Sequence, residues 1–257
     1  MTPSLLAENE ASPIEVFGTS GRSPFVLVCD HAGRELPRSL GSLGLTEEEL
    51  RAHIAWDIGA AGMARELALK LEAPLFLQRY SRLVIDCNRP LSAPDSIATK
   101  SGGISIPGNE GLSAEARSER ARAIFWPYHE RIRAELHARK ARGEPFILIA
   151  VHSFTPVFLG AARPFHTGLL YLHDTRLAHP LRKLLHAEGE LVVGDNEPYS
   201  ASEATDYSII EYGERLGAPY VEIEVRQDLI ADSAGQRAWA ERFARLLPLA
   251  SEAFSLD

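Results

Sequence analysis

The sequence predicts an α/β protein: a mostly parallel or mixed twisted sheet with helices on both faces, in three layers. Strand-like segments alternate along the chain with amphipathic segments of helix length. Two of the strand-like segments, Phe25–Cys29 and residues 146–151, are apolar throughout, as expected of strands buried on both faces. The chain has 257 residues, 45% hydrophobic and 24% charged, so it can bury a sizeable core, and we expect a single domain over residues 1–257.

After the first strand, the chain is predicted to contain one interrupted helix, two strands and a long loop. Residues 46–49 read as a capping box, which indicates that a helix begins there. The helical pattern continues to Leu71, with a break or bend near Gly59. Strands follow at residues 74–78 and 83–86, and the unpatterned residues 91–112 are predicted to form a functional loop.

The second half is predicted to contain one long helix followed by alternating strands and shorter helices. Ser113 begins the long helix, Gly143 ends it, and Pro127 predicts a kink or a restart near Trp126. The later predicted strands are residues 168–172, 191–193 and 219–225, and the later helices are residues 176–188, 207–216 and 234–254.

Charge and cysteine content exclude several classes of partner. The net charge of −8 leaves no basic stripe, so we expect no nucleic-acid partner. No basic start followed by an apolar core is found, and no apolar run approaches a membrane span of about 18 residues, so we expect a cytoplasmic protein without a membrane partner. Cys29 and Cys87 lie in apolar runs typical of reduced core thiols, so a metal would take His and carboxylate ligands. The oligomeric state is left open.

Two of the strands end in histidines. His31 follows the strand at residues 25–29, and His152 follows the strand at residues 146–151. Because chemistry in α/β sheets is usually located at the carboxyl ends of strands, the two imidazoles are candidate metal ligands, with two structural histidines as the alternative. An open catalytic zinc site needs a third ligand.

Three side chains are candidates for the third position. Glu35 is four residues after His31, on the same predicted loop. Asp57 is four residues after His53, and on a continuous helix both side chains would project from one face. An exposed Glu35, a helix-start Asp57 and a solvated or outer-shell His53 are the structural alternatives.

The strand V-E-I-E-V-R carries two glutamates on one face. The alternation of a strand places Glu222 and Glu224 together, opposite three apolar residues. A carboxylate in such a strand is a candidate general base, or it forms a salt bridge with Arg226 or a neighbouring arginine. Arg82 and Arg89 flank residues 83–86 and have the shape to hold a substrate carboxylate, although a surface ion pair is the alternative.

Seven segments, in order, resemble the N-formylglutamate amidohydrolase family over nearly the whole chain: C-D-H-A-G, H-I-A-W-D-I-G-A, Y-S-R-L-V-I-D-C-N-R-P, I-P-G-N, V-H-S-F-T-P, D-N-E-P-Y and E-I-E-V-R-Q-D-L-I. The resemblance implies a metal-dependent hydrolase that cleaves the N-formyl, or a small N-acyl, amide of an acidic amino acid such as N-formylglutamate. It also implies a zinc-carboxypeptidase-like fold, because the family is similar to the zinc carboxypeptidases.

The resemblance also implies site residues. V-H-S-F is similar to the segment with a zinc histidine followed by serine, and H-A-G-R-E is one residue longer than the H-x-x-E of carboxypeptidases, so Glu35 does not fit that register. Since H-I-A-W-D belongs to the family pattern, Asp57 is preferred as third ligand. The implied set is one Zn²⁺ per chain held by His31, Asp57 and His152; Glu224 as general base; Arg82 at the oxyanion; and Asn88, Arg89, Tyr199 and Ser153 at the substrate.

Two alternative functions remain open at this point. The same residues would serve a zinc exopeptidase or an N-acyl amino acid deacylase acting on a larger substrate. A metal-free binding module on the same fold is the third possibility.

Overall fold

The computed structural model of the protein describes residues 4–18 and 23–254. Eleven strands are described: β1 (Ile14–Phe17), β2 (Phe25–Cys29), β3 (Leu75–Gln78), β4 (Lys100–Ser101), β5 (Ile104–Ser105), β6 (Ile147–Phe154), β7 (Val157–Phe158), β8 (Ala161–Ala162), β9 (Thr167–Leu170), β10 (Val193–Asp195) and β11 (Tyr220–Arg226). The α-helices of the described residues are α1 (Glu47–Arg51), α2 (Ala60–Leu71), α3 (Ala114–Arg120), α4 (Trp126–Ala141), α5 (Ala178–His186), α6 (Tyr207–Tyr212) and α7 (Ser233–Ser251).

Seven strands form one mixed sheet in the order β1-β3-β2-β6-β11-β9-β10. The four strands β3, β2, β6 and β11 are parallel to one another. Strand β1 is antiparallel to β3, and β9, which is parallel to β10, is antiparallel to β11. β4 with β5 and β7 with β8 form separate two-stranded hairpins. The predicted mixed sheet is therefore confirmed.

Side chains alternate between two hydrophobic cores, one on each face of the sheet. In β2, Phe25, Leu27 and Cys29 pack in the core formed with α2, α5 and α7. Val26 and Val28 pack in the other core, with α4 and α6. A strand that buries both faces is apolar at every position, which explains why this segment lacks the polar alternation of a half-exposed strand. The three-layer prediction is confirmed.

The same alternation determines where the polar residues of the central strands lie. Leu148 and Ala150 of β6 belong to the α4/α6 face, so His152 lies on that face as well. Tyr220 of β11 is in the same core, and Glu222 and Glu224 follow at the same period. Strand β6 extends to Phe154, beyond its predicted end at residue 151.

Residues 83–86 do not form the predicted strand. They lie in a buried turn in which the backbone N–H of Val84 donates to the carbonyl of Ser81 at 2.9 Å. Side chains satisfy the carbonyl groups that a sheet would otherwise engage: Asn109 donates to Leu83 O at 2.8 Å and Arg120 donates to Val84 O at 2.9 Å. An apolar run of this length does not distinguish a strand from a buried turn.

The helical pattern of residues 46–71 forms two helices. Thr46 and Glu49 complete the predicted capping box, but α1 ends at Arg51. Helix α2 begins after Gly59, which has φ of +82° and lies so close to the Ile230 carbonyl that a Cβ would be 2.1 Å from its oxygen. The predicted break is confirmed, whereas the continuous helix assumed for His53 and Asp57 was wrong.

The remaining differences are local. The predicted long helix consists of α3, a π-helical turn at Ala121–Phe125 and α4, with Pro127 near the start of α4. Edge strand β1 was not predicted. The predicted loop at residues 91–112 contains the β4–β5 hairpin. Within residues 4–18 and 23–254, no helix is long and apolar enough to cross a membrane.

Arg120 is expected to be a major contributor to stability. It is 2% exposed, and its guanidinium donates to the carbonyls of Val84 and Gly108 and to Asn109 Oδ1. Arg120→Met would leave two buried oxygen atoms and the partly buried Gly108 carbonyl without this donor, so we expect it to lower the free energy of unfolding by about 2–4 kcal/mol. Urea denaturation measures this, with Arg122→Met on the exposed surface as the control, expected to change stability by less than about 0.5 kcal/mol.

Candidate active site and metal centre

Two histidines and one aspartate meet at the carboxyl end of the central parallel strands. His152 Nδ1 lies 2.9 Å from Asp57 Oδ2, and His31 Nδ1 lies 3.5 Å from the same oxygen. The two imidazole rings are edge to face, with centroids 4.9 Å apart. All three residues are at most 4% exposed, so the sequence-predicted ligand set is brought together inside the protein.

Asp57 reaches this position from the irregular segment between α1 and α2. Its backbone N–H donates to the His31 carbonyl at 2.9 Å, which connects the segment to the end of β2. Arg82 donates to Asp57 Oδ1, and the backbone N–H of Ser153 donates to Oδ2 at 3.3 Å. A loop whose backbone and side chain are both anchored therefore holds the carboxylate between the histidines.

The chemistry of these three side chains fits a divalent metal. His31 donates its Nε2–H to Asp86 Oδ1 at 2.7 Å, while its buried Nδ1 has no hydrogen-bond partner among the described residues. A carboxylate on one ring nitrogen leaves the other free to bind a metal and orients the ring, as in many zinc sites. The candidate ligand atoms of His31, Asp57 and His152 all lie within 4.8 Å of one another, and two imidazoles with one carboxylate form a donor set that suits zinc.

Glu35, the alternative third ligand, lies away from this cluster. Its side chain is half exposed and interacts with Arg79 at 3.4 Å. The backbone of Glu35 forms a bridge with Tyr80, which fixes it on the outer side of the loop. His53 lies closer to the cluster than Glu35 does. Its Nδ1 is 3.6 Å from Asp57 Oδ1, the oxygen that also accepts the hydrogen bond from Arg82.

Glu224 lies beside the histidines without a hydrogen-bond partner on Oε2 among the described residues. In the register of the parallel pair, Glu224 is directly opposite His152. Burial raises the pKa of Glu224 to about 8, and that of Glu222, which accepts a hydrogen bond from Asn88 Nδ2 at 3.4 Å, to about 7. Arg226 pairs with Asp228 at 2.8 Å, so the salt bridge suggested as an alternative for the glutamates is not formed with it.

The site is rich in buried carboxyl groups, and these shift the pKa values of the two histidines in different ways. Burial lowers the pKa of His31 to about 4, so this imidazole is neutral and able to bind a metal. Burial also disfavours the charged form of His152, but Glu222 and Asp30 outweigh it and raise the pKa of His152 to about 10. The side-chain oxygens of five buried carboxylates therefore surround a position that stabilises positive charge: Asp30, Asp57, Asp86, Glu222 and Glu224.

A cavity of about 360 Å³ opens above this cluster, and all nine predicted site residues line it. Arg89 is held by Asp95, 2.9 Å from Nε, and by the carbonyl of Thr205. Asn88 accepts a hydrogen bond from the backbone N–H of Ser208 at 3.0 Å, so both sides of its amide are fixed. The hydroxyl of Ser153 donates to the Ile58 carbonyl at 2.9 Å and is not free to act as a donor elsewhere.

Sequence reasoning missed the carboxylates behind the histidines. Asp86 contacts His31 as described, and Asp30 Oδ2 lies 3.5 Å from His152 Nε2. Ser208 donates its hydroxyl to the other oxygen of Asp30 at 2.7 Å. The sequence did contain a signal for them, because an aspartate ends each of two apolar runs. Burying a carboxylate there without a partner would cost free energy.

Comparison with known proteins identifies one family and a number of similar structures, which include the following two. A family model described as N-formylglutamate amidohydrolase matches residues 23–231. The gene product Atu2144 of Agrobacterium tumefaciens is 36% identical, with a TM-score of 0.93 over 97% of this chain and 98% of that one. An N-formylglutamate amidohydrolase from Ralstonia eutropha JMP134 is 17% identical, with a TM-score of 0.66 over 95% and 98% of the two chains, a likeness of fold. Among curated proteins, no match is found.

Proposed function

The chain belongs to the N-formylglutamate amidohydrolase family, and we propose that it is a zinc-dependent hydrolase that cleaves the N-formyl, or a small N-acyl, amide of an acidic amino acid. With N-formylglutamate as substrate, the products are formate and glutamate. The observation that carries the proposal is the buried cluster of two imidazoles, a carboxylate and an unpartnered glutamate at the wall of a cavity that also contains two arginines.

In this proposal His31, Asp57 and His152 hold one zinc ion. When bound, zinc acts as a Lewis acid that polarises a carbonyl oxygen and lowers the pKa of a bound water to about 7. Asp86 holds the His31 ring through Nε2, and Asp30 lies against His152 Nε2. These two carboxylates keep the Nδ1 atoms directed towards Asp57.

Glu224 is the proposed general base. Its free Oε2 accepts a proton from the attacking water as the water oxygen bonds to the formyl carbon. The same carboxyl then donates that proton to the amide nitrogen while the C–N bond breaks, so the amine leaves neutral and the carboxylate is restored. His152 of β6 is opposite Glu224 of β11 in the strand register, so the base lies close to the ligand cluster.

The arginines and Asn88 are proposed to bind the substrate. Because Asp95 and the carbonyl of Thr205 hold the Arg89 guanidinium, little side-chain entropy is lost when it pairs with the substrate α-carboxylate. Asn88, fixed by Glu222 and Ser208, lies next to it in the cavity wall. Arg82, which anchors Asp57, is proposed to stabilise the oxyanion as well.

Metal analysis and a substrate panel test the proposal together. We expect one zinc per purified chain and the highest kcat/KM on N-formylglutamate, compared with N-acetylglutamate, N-formylmethionine and a dipeptide that ends in glutamate. A preference for the dipeptide or the acetyl compound would favour the exopeptidase or deacylase. A chain without stoichiometric metal, and without activity after zinc is added, would be a binding module.

We further propose a cytoplasmic protein with one catalytic domain and a small-molecule partner, without nucleic-acid binding. The net charge of −8 supports the absence of a nucleic-acid partner. Both cysteines are buried free thiols, which is compatible with a reducing compartment. The two cores share one sheet, which supports one domain. Cell fractionation of the tagged protein would test the location.

A further inference from the structure

Arg163 lies between two chain segments that bound the mouth of the cavity. One segment is the β7–β8 hairpin, which contributes Phe158 to the cavity wall. The other is residues 196–206, which contribute Tyr199 and contain neither helix nor strand. The proposed mechanism assigns no role to this arginine.

The contacts of Arg163 join these two segments. Its guanidinium carbon lies 4.6 Å from the ring centroid of Phe158 and 4.6 Å from that of Tyr199. One terminal nitrogen donates to the Tyr199 hydroxyl at 2.8 Å. The same nitrogen lies 3.4 Å from Thr155 Oγ1, just before the hairpin. In the part of the chain that the structure describes, Arg163 forms no ion pair with a carboxylate, so its charge is directed at aromatic faces and two hydroxyl oxygens, interactions that a planar guanidinium suits.

Residues 196–206 are anchored near their ends, at Asn196 by the Leu169 carbonyl and at Thr205 by Arg89, whereas the hairpin has little other support. The hairpin has only two residue pairs, Val157 with Ala162 and Phe158 with Ala161. Its side chains are largely exposed, with Leu159 76% exposed, so little apolar burial holds it in place. A two-stranded ribbon of this size is marginally stable without a tertiary contact, and Arg163 supplies one.

We propose that Arg163 is a positioning residue that holds Tyr199 and Phe158 together as the outer wall of the cavity, over the amino acid part of the substrate. The inference rests on the proposed function for the identity of that substrate. Arg163 acts through the two aromatic rings. The guanidinium stacks on both rings and donates a hydrogen bond to the Tyr199 hydroxyl. These contacts keep Tyr199 over the cavity and the hairpin next to Tyr199.

The test compares Arg163→Met, Arg163→Lys, Tyr199→Phe and the double variant Arg163→Met with Tyr199→Phe. Amide hydrogen exchange of residues 157–162 and 196–206 is measured in the metal-free protein, and kcat and KM are measured with zinc and N-formylglutamate. Arg242→Met is the matched control, because Arg242 also stacks on an aromatic ring, Trp239 at 4.6 Å, far along the chain in α7.

For Arg163→Met we expect exchange at both segments to rise by about fivefold or more and KM to rise by about fivefold, with kcat within about twofold. Arg163→Lys should recover part of the loss, since a lysine keeps the charge without the planar fork. The KM of the double variant should be no more than about twofold above that of Arg163→Met, because both changes break the same contact between Arg163 and Tyr199. Arg242→Met should change the amide exchange of neither segment.

Unchanged exchange at residues 196–206 in Arg163→Met would overturn the proposal. So would a KM increase confined to substrates with an acidic side chain, because Arg163 would then bind substrate directly. If the wild-type chain has no hydrolase activity, the proposed function fails, but the exchange measurement still decides whether Arg163 positions the two segments.

Discussion

Glu224→Gln is expected to lower kcat on N-formylglutamate by about 10²–10⁴-fold, because a glutamine can neither accept the water proton nor return it to the leaving amine. The substitution replaces one oxygen by an amide group of nearly the same size, at a position opposite His152 in the sheet. We therefore expect the fold and the metal content to be retained. KM should change little, since Glu224 is assigned to the proton transfers and not to carboxylate binding.

The measurement is single-substrate kinetics with metal content determined on the same sample. Glu35→Gln is the matched control: it makes the same chemical change at an exposed glutamate that interacts with Arg79, and its activity should equal that of the wild-type chain. If Glu224→Gln kept its zinc and lost less than about tenfold in kcat, Glu224 would not be the general base.

Removal of the metal is expected to abolish activity and to lower the thermal midpoint, with both restored by zinc. Ligand binding to the native state alone stabilises it by about 4 kcal/mol when free ligand is 1,000 times Kd. Without the metal, the positive charge beside Asp57 and Asp30 comes from His152, whose pKa is raised to about 10, and this single charge replaces the two charges of the ion. Chelator titration followed by thermal melting measures the effect.

Ligand substitutions refine this expectation. Asp57→Asn and His31→Ala should each weaken zinc binding by about 100-fold or more, because a zinc site with three protein ligands would retain only two charged or imidazole donors. Asp86→Asn should weaken it by about 10–100-fold through the orientation of His31. Glu35→Ala should leave binding unchanged. The opposite pattern, with zinc lost in Glu35→Ala and kept in Asp57→Asn, would reassign the third ligand.

Local patterns in the sequence predicted the central sheet well. The uninterrupted apolar run at residues 25–29 matches β2 at both ends. In V-E-I-E-V-R, the period of two correctly predicted that Glu222 and Glu224 share one face, because alternation is a property of any extended strand. The structure shows that His152 occupies the same face of the sheet. Such patterns depend only on the local backbone conformation, so they predict side-chain positions correctly wherever the backbone is regular.

The irregular segments were not predictable in the same way. Asp57 was chosen through a resemblance in H-I-A-W-D and placed on a helix, whereas it lies in a loop whose position depends on a hydrogen bond to the His31 carbonyl. Residues 83–86 read as a strand and form a turn, because the side chains of Asn109 and Arg120 satisfy its carbonyls from 26 and 36 residues away. Such partners do not leave a periodic signal.

The sequence alone was sufficient for the α/β class and the strand-end histidines, and family resemblance supplied the proposed ligand set and the proposed base. The tertiary structure was needed to bring Asp57 between His31 and His152, to place Asp86 and Asp30 behind the two imidazoles, and to join the hairpin and residues 196–206 through Arg163. The physical reason is that strand and helix periods are set by neighbours in the chain. Hydrogen bonds and charge contacts across 55 or more residues, such as that of His31 with Asp86, are set by how the layers pack.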